Sequence, residues 1–250
     1  MIDASLAYAE VQERLAELLN AVGEERGGTP VPACPGWSVR DVVAHHCGVV
    51  ADISSGNLGE LGAGLDLLEQ WRDHDVAQAR DALTARQVSE RAGRSLTSLL
   101  NEWRDATATL LPMLRGDEPL PEGVPSLYNV VAINDVVVHE GDIRIALGLD
   151  RAPDGLAMSL ALAGYGVSLD RRLRIVGLPP LVLAYDGKQR QLGGDGQPGA
   201  TVRADRFDLV RTMASRRTPA EILSLEWSGD PAPYLPILPE YGPITAATGG

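Results

Sequence analysis

The segment PACPGWSVRDVVAHHCG, residues 32–48, predicts a tight loop that leads directly into a helix. Its first half contains two prolines and a glycine, which interrupt regular secondary structure. Ser38 is followed three residues later by Asp41, which is the spacing of a capping box with Asp in place of Glu or Gln. We therefore expect a helix that begins at Ser38 and continues to about Ser54.

Two adjacent histidines lie in this helix, and the apolar spacing favours one of them as the buried residue. His46 shares a face with the valines of the helix, whereas His45 lies at the edge of that face beside Val49. The valines that define the face are Val39, Val42, Val43 and Val50. A single histidine on an apolar face is more often a core residue than a metal ligand, so periodicity alone places His46 in the core.

A second segment, NDVVVHEGDIRIALG at residues 134–148, places carboxylates and an imidazole at helical spacing. Asp135, His139 and Asp142 project from nearly one face of the predicted helix. A carboxylate and an imidazole at positions i and i+4 can bind one metal ion together. The alternatives are an Asp–His pair on a solvated face and a buried histidine oriented by a carboxylate.

A metal ion at this pair requires a third ligand from elsewhere in the chain. Three protein ligands leave coordination positions open for water or substrate, which is the requirement of a catalytic rather than a structural metal. The remaining histidines are the candidates for the third ligand: His45, His46 and His74.

The pattern of apolar residues divides the chain into a helical first part and a mixed second part. Residues 1–150 are predicted to be all-helical, and residues 151–250 are predicted to form a smaller α+β domain. The helices expected in the first part are about 6–22, 38–54, 66–80, 84–114 and 126–147. In the second part we expect helices at 154–172, 205–216 and 218–224 and strands at 181–185 and 200–203.

Composition and charge exclude several classes of protein. The 250 residues carry a net charge of −12, which argues against nucleic-acid binding and against polybasic membrane docking. The cysteines, Cys34 and Cys47, are too few for a disulfide scaffold, and no pair of CxxC clusters is present for a structural zinc. The first 19 residues are typical of an amphipathic helix rather than a signal peptide, and no stretch of about 18 apolar residues occurs. We expect a soluble cytoplasmic protein that is a monomer or a weak dimer.

Three segments, in order along the chain, resemble the mycothiol-dependent maleylpyruvate isomerase family of the DinB-like metalloenzyme superfamily. Residues 32–48 resemble the family signature CPGW(S/T)VxDLxAHL. Residues 136–148 resemble its second segment, in which a Glu precedes a His by four residues and an Asp follows that His by three. Residues 208–231 resemble its C-terminal pattern of a small residue, one or two arginines, and W-x-GDP.

This resemblance implies an N-terminal four-helix bundle that holds a divalent metal, usually zinc, and a C-terminal α+β domain similar to sterol-carrier-protein folds. The histidine of the family signature falls on His45, and His46 occupies the place of a leucine. The implied metal ligands are therefore His45, Asp135 and His139. The family's acidic ligand is usually Glu, and the shorter Asp135 implies either a changed metal distance or binding through water.

The resemblance also implies roles for residues around the metal ligands. Arg216 resembles a C-terminal arginine that the family uses at its site, where it would reach a substrate carboxylate. The alternative is that Arg216 is an exposed arginine at the end of a helix. Arg217 is the neighbouring candidate for the same role. Asp142 is expected to hold His139 through the free ring N–H, the alternative being a salt bridge within the helix. Cys34 has no base that the sequence can identify, and we do not expect it to be catalytic.

The activity implied by the resemblance is that of a metal-dependent enzyme with mycothiol as its thiol cosubstrate. The metal would lower the pKa of the thiol, and the thiolate would add to a small electrophile such as maleylpyruvate. Release of the thiol after bond rotation would make the chain an isomerase, whereas retention of the sulfur would make it an S-transferase. The difference between Glu and Asp135 leaves a further alternative, a non-catalytic module that binds a metal or a small ligand.

Overall fold

The computed structural model describes residues 4–61 and 73–249. These residues form two compact units, the first made of residues 4–61, 73–160 and 249 and the second of residues 161–248. The division falls inside a helix, and the sequence-based domain ranges 1–150 and 151–250 stay a prediction.

The described part of the first unit is built from helices. They are α1 (Ala4–Val22), α2 (Val39–Ser55), α3 (His74–Ser89), α4 (Leu96–Arg115) and α5 (Tyr128–Leu147), with short 3-10 turns at Glu24–Gly28 and Gly59–Leu61. A further helix, α6 (Leu156–Val176), begins in this unit. Helices α1, α2, α4 and α5 pack as a four-helix bundle, and α3 packs against α2. The predicted helical bundle is thereby confirmed.

The predicted start of α2 is also confirmed, and it determines how the loop before the helix is held. The Ser38 hydroxyl accepts the backbone N–H of Asp41 at 3.3 Å, and the Asp41 carboxylate accepts the backbone N–H of Ser38 at 2.8 Å. The backbone N–H of Val31 donates to the Trp37 carbonyl at 2.9 Å, which closes the loop on itself. These bonds fix the entry of α2, so that His45, about two turns further on, lies inside the bundle.

The bundle interior is apolar and closely packed around Trp103. This side chain is fully buried and donates its indole N–H to the Tyr8 hydroxyl at 3.1 Å. Four leucines of α1 and α4 also have no exposed surface: Leu15, Leu19, Leu99 and Leu110. Burial of a leucine contributes about 1.5–3 kcal/mol. In such an interior a charged group is costly unless it has a partner.

The prediction of one continuous helix over residues 84–114 is wrong, because the chain turns between α3 and α4. Gly93 has φ 76°, a conformation that favours glycine, and the Ser95 side chain accepts the backbone N–H of Ser98 to cap α4. The helix predicted over residues 66–80 lies partly outside the described residues; its described part belongs to α3.

The second unit contains a four-stranded mixed sheet with helices. Its strands are β1 (Leu181–Tyr185), β2 (Lys188–Leu192), β3 (Ala200–Arg203) and β4 (Glu226–Gly229), in the order β2-β1-β3-β4. Strands β1 and β3 are parallel, and the other two pairs are antiparallel. Helices α7 (Arg206–Met213) and α8 (Pro219–Leu223) lie between β3 and β4. The predicted α+β character of this part is confirmed, and no helix in the described residues is long and apolar enough to cross a membrane.

Candidate metal centre

Helices α2 and α5 bring His45, Asp135 and His139 together inside the first unit. Asp135 Oδ1 lies 3.2 Å from His45 Nε2 and 3.6 Å from His139 Nε2. One ligand atom from each of the three residues lies within 4.8 Å of the other two. The i and i+4 positions on α5 therefore supply two of these atoms, and α2 supplies the third.

These distances match those between ligands of a tetrahedral metal ion. Metal–ligand bonds of about 2.0–2.1 Å place neighbouring donors roughly 3.3 Å apart. Two imidazole nitrogens and one carboxylate oxygen are the donor set of many catalytic zinc sites, which keep the fourth position for water or substrate. The three residues are thus compatible with a divalent cation in both geometry and chemistry.

The electrostatics of Asp135 also fit a cation. Burial opposes ionisation of this carboxyl, but His45 and His139 outweigh that effect and hold its pKa well below the usual range. Its Oδ2 atom is buried and has no hydrogen-bond partner among the described residues. A buried carboxylate with an unsatisfied oxygen is stabilised by a positive ion.

A chain of hydrogen bonds determines which nitrogen of His45 faces Asp135. Gln87 on α3 donates its side-chain N–H to Asp52 Oδ2 at 2.6 Å, and Arg86 donates to the same oxygen at 2.9 Å. Because Asp52 Oδ2 accepts from the Gln87 amide N–H, the Gln87 carbonyl oxygen faces His45, where it lies 2.7 Å from Nδ1. His45 Nδ1 therefore carries a proton that Gln87 accepts, and Nε2 is the ring nitrogen that faces Asp135.

Gly48 makes room for this chain. A Cβ atom at Gly48 would lie 2.4 Å from both Cβ and Cγ of Gln87, so only glycine lets α3 approach α2 this closely. We did not identify Gln87, Asp52 or Gly48 from the sequence. The one available signal was the glycine itself, since glycine inside a helix costs stability and often marks a close approach.

His139 is held from its other ring nitrogen. Its Nδ1 lies 3.2 Å from Asp142 Oδ2 and 3.7 Å from Cys34 Sγ. Asp142 therefore occupies the position expected for it, whereas the contact with Cys34 was not expected from the sequence. Cys34, His139 and Asp142 form a second group of potential ligands that shares His139 with the first.

Zinc affinity is expected to rise with pH because a metal must displace a proton from His139. Burial disfavours the charged imidazole, but the neighbouring Cys34 sulfur, Asp135 and Asp142 outweigh burial and raise the pKa of His139 to about 10. Below that pH the proton competes with the metal, so the zinc association constant should increase about tenfold per pH unit between pH 6.5 and 8.5. Competition with a chromophoric chelator measures this slope. An affinity that levels off near pH 7 would contradict the raised pKa.

Both histidines of α2 are buried. The apolar spacing correctly predicted the burial of His46, but it did not predict that His45 is buried as well. His46 is 1% exposed and His45 is 4% exposed. The His46 ring stacks on Trp103 with centroids 4.8 Å apart and an interplanar angle of 11°. Burial lowers the pKa of His46 to about 4, so the ring is neutral at physiological pH.

Neither potential ligand group among the described residues includes the other sequence candidates. His74 is exposed at the first residue of α3 and is not part of either potential ligand group. Arg216 and Arg217 belong to the second unit, directly after α7. Arg216 Nη1 donates to the Ala214 carbonyl at 3.0 Å, and Arg217 donates to Asp208 at 2.6 Å. The centroid of the Trp37 ring lies 5.2 Å from that of the His45 ring.

Comparison with known proteins identifies the fold and the family of the chain. Two solved structures, titled as the mycothiol-dependent maleylpyruvate isomerase and a histidine-to-alanine mutant of it, have TM-scores of 0.56 and 0.55 to this chain. Each is 16% identical, and each comparison covers 90% of this chain and 91% of the other; at that identity the likeness establishes the fold. No curated protein matches the chain. Residues 8–144 match the family described as the mycothiol maleylpyruvate isomerase N-terminal domain. Because that match covers more than half of the sequence and includes all three potential ligands of the centre, the chain belongs to this family.

Proposed function

We propose that this chain is a metal-dependent enzyme that uses mycothiol to isomerise maleylpyruvate or a closely related cis-unsaturated acid. The observation that carries the proposal is that His45, Asp135 and His139 bring one ligand atom each to within 4.8 Å of the others in a member of this family. The two solved structures support the proposal, because both are described as mycothiol-dependent maleylpyruvate isomerases and share the fold of this chain.

The residues of the centre would hold the metal through three atoms. His45 Nε2 and His139 Nε2 supply neutral nitrogen ligands, and Asp135 supplies one negative oxygen. Gln87 and Asp142 keep the two imidazoles oriented by binding their Nδ1 atoms. A bound divalent ion, zinc by its donor set, would supply the positive charge that lowers the pKa of the cosubstrate thiol.

The proposed reaction is a reversible addition between the two small molecules. The mycothiol sulfur forms a bond to one carbon of the cis double bond, and the electron pair of the π bond moves into the neighbouring carbonyl to give an enolate. Rotation about the resulting single bond is followed by collapse of the enolate and breakage of the carbon–sulfur bond. The products are the trans isomer and the unchanged thiol, so no oxidant or reductant is required.

This function is tested with the purified chain, mycothiol and maleylpyruvate, using proton NMR to follow the cis and trans vinyl signals. Conversion to the trans isomer should require both thiol and zinc, should stop on addition of a chelator and should return when zinc is restored. A stable thioether product detected by mass spectrometry would instead indicate an S-transferase. A zinc-loaded chain that changes neither compound would indicate the non-catalytic module.

We propose that Arg216 contributes to catalysis by binding a substrate carboxylate. Its backbone is fixed on both sides, since its N–H donates to the Arg211 carbonyl at 2.8 Å and its carbonyl accepts the Thr248 hydroxyl at 2.7 Å. Replacing Arg216 with leucine should lower kcat/KM on the order of 100-fold, the effect of removing one donor to developing negative charge. Arg217→Leu is the matched control, because Arg217 is paired with Asp208. Equal effects of the two replacements would contradict the assignment.

A further inference from the structure

The two positions at which the centre departs from the family pattern are in contact with each other. Asp135 stands where the family usually has Glu, and His46 stands where the signature has Leu. His46 Nδ1 lies 3.3 Å from Asp135 Oδ2. Oδ1 of the same carboxylate faces His45 and His139, so the two oxygens are turned toward different partners.

The position of the His46 ring is set by its packing. It is stacked on Trp103, and Trp103 is in turn held by its hydrogen bond to Tyr8. Trp103 has no exposed surface, and Tyr8 is 1% exposed. The ring therefore cannot turn away from Asp135 without disturbing the core.

The surroundings of the ring also determine where its proton lies. His46 Nε2 is buried and has no hydrogen-bond partner among the described residues, so a proton there would be a donor without an acceptor. Nδ1 would then present its lone pair to a carboxylate oxygen, which is repulsive. With the proton on Nδ1, the ring instead turns an N–H toward the anionic Oδ2 of Asp135 at 3.3 Å, and the two attract each other electrostatically although they do not meet the geometry of a hydrogen bond.

We propose that His46 is a positioning residue for the metal ligand Asp135, and that it compensates for the shortness of this aspartate. The inference rests on the proposed metal centre. The N–H of His46 attracts Oδ2 and thereby keeps Oδ1 directed at the nitrogens of His45 and His139. A leucine at position 46 would leave Oδ2 against hydrocarbon, where an anionic oxygen without a donor is unstable and the carboxylate would turn.

Zinc affinity in a set of variants tests this proposal without any assay of activity. His46→Leu keeps an apolar side chain against Trp103 but removes the donor, and it should weaken zinc binding about 10–100-fold. His46→Asn places an amide N–H near the position of Nδ1. The logarithm of its zinc affinity should therefore fall by no more than half as much as that of His46→Leu. Chelator competition measures each dissociation constant, and thermal unfolding of the metal-free variants checks that they fold.

A double replacement tests the compensation directly. Asp135→Glu should give no gain in zinc affinity while His46 is present. In the His46→Leu background, Asp135→Glu should raise the zinc affinity about tenfold, because the longer side chain then reaches the metal without help from the histidine. The visible spectrum of the cobalt-loaded protein should change in His46→Leu and return toward that of the unmodified chain in His46→Asn.

The outcomes separate this inference from the proposal on which it rests. If the unmodified chain binds no zinc, the metal centre is wrong and the role of His46 is wrong with it. If the unmodified chain binds zinc and His46→Leu binds it equally well with the same cobalt spectrum, the centre stands and the role of His46 is overturned. Additive effects of His46→Leu and Asp135→Glu would overturn the compensation.

Discussion

Replacing His45 with alanine is expected to weaken zinc binding on the order of 1000-fold. Zinc bound by protein ligands is stabilised by about 10–16 kcal/mol, so the loss of one of three ligands removes roughly 3–5 kcal/mol, and each 1.4 kcal/mol is about a factor of ten. His45 belongs only to the group that contains Asp135, whereas His139 belongs to both potential ligand groups. His45 is therefore the residue whose loss distinguishes the two groups.

Cys34→Ala is the matched control for this prediction. Cys34 belongs only to the group with Asp142, and Asp142 Oδ2, which lies 3.2 Å from His139 Nδ1, should still support that ring when the sulfur is removed. Zinc affinity should therefore fall by no more than about tenfold in this variant. Chelator competition on both proteins gives the comparison. If Cys34→Ala loses as much affinity as His45→Ala, the metal is not held by the residues proposed here.

Gly48→Ala is expected to lower both the stability of the bundle and its affinity for zinc. In an unobstructed helix this change would stabilise the chain by about 0.8–1.0 kcal/mol. Here the new Cβ would lie 2.4 Å from two carbons of Gln87, far inside the optimal separation of roughly 3.5–4.0 Å. Overpacking of this kind costs about 1–3 kcal/mol, so the clash should outweigh the gain in helix propensity. Because Gln87 must move, His45 also loses its partner, and zinc binding should weaken about 10–100-fold.

Two further variants separate packing from metal support in this prediction. Gln87→Leu keeps the carbons that pack on Gly48 but removes the amide, so it should reproduce most of the loss in zinc affinity. Gly166→Ala, in α6, is the control for a helical glycine, since its Cβ would meet only the guanidinium end of Arg190, which can move. Thermal unfolding and chelator competition give the two readouts. Gly48→Ala with unchanged stability and zinc affinity would contradict the close approach of α2 and α3.

Local spacing predicted those parts of the structure that depend on neighbours in sequence. The capping box at Ser38, the helix that carries Asp135 and His139, and the strands β1 and β3 all follow from short-range patterns. The strand β2 was missed because its sequence, KQRQL, is largely polar and exposed and shows no apolar alternation. The break at Gly93 was missed because the apolar spacing of α4 was extended backward into α3.

The partners of the site residues were harder to predict because they come from distant segments. Gln87 is 42 residues from His45, and Cys34 is 105 residues from His139. No periodicity relates residues so far apart; their contacts arise only when α3 and the loop before α2 pack on the bundle. Periodicity also treated His45 and His46 as alternatives, whereas the bundle buries both around the same carboxylate.

Anomalous X-ray diffraction at the zinc edge, on crystals of the zinc-loaded chain, tests the metal centre most directly. If this metal centre is correct, we expect one strong peak about 2.0–2.2 Å from His45 Nε2, from His139 Nε2 and from an oxygen of Asp135. A peak on the other side of the His139 ring, between Cys34 and Asp142, would contradict it. The absence of any peak near His139 at full zinc loading would contradict it equally.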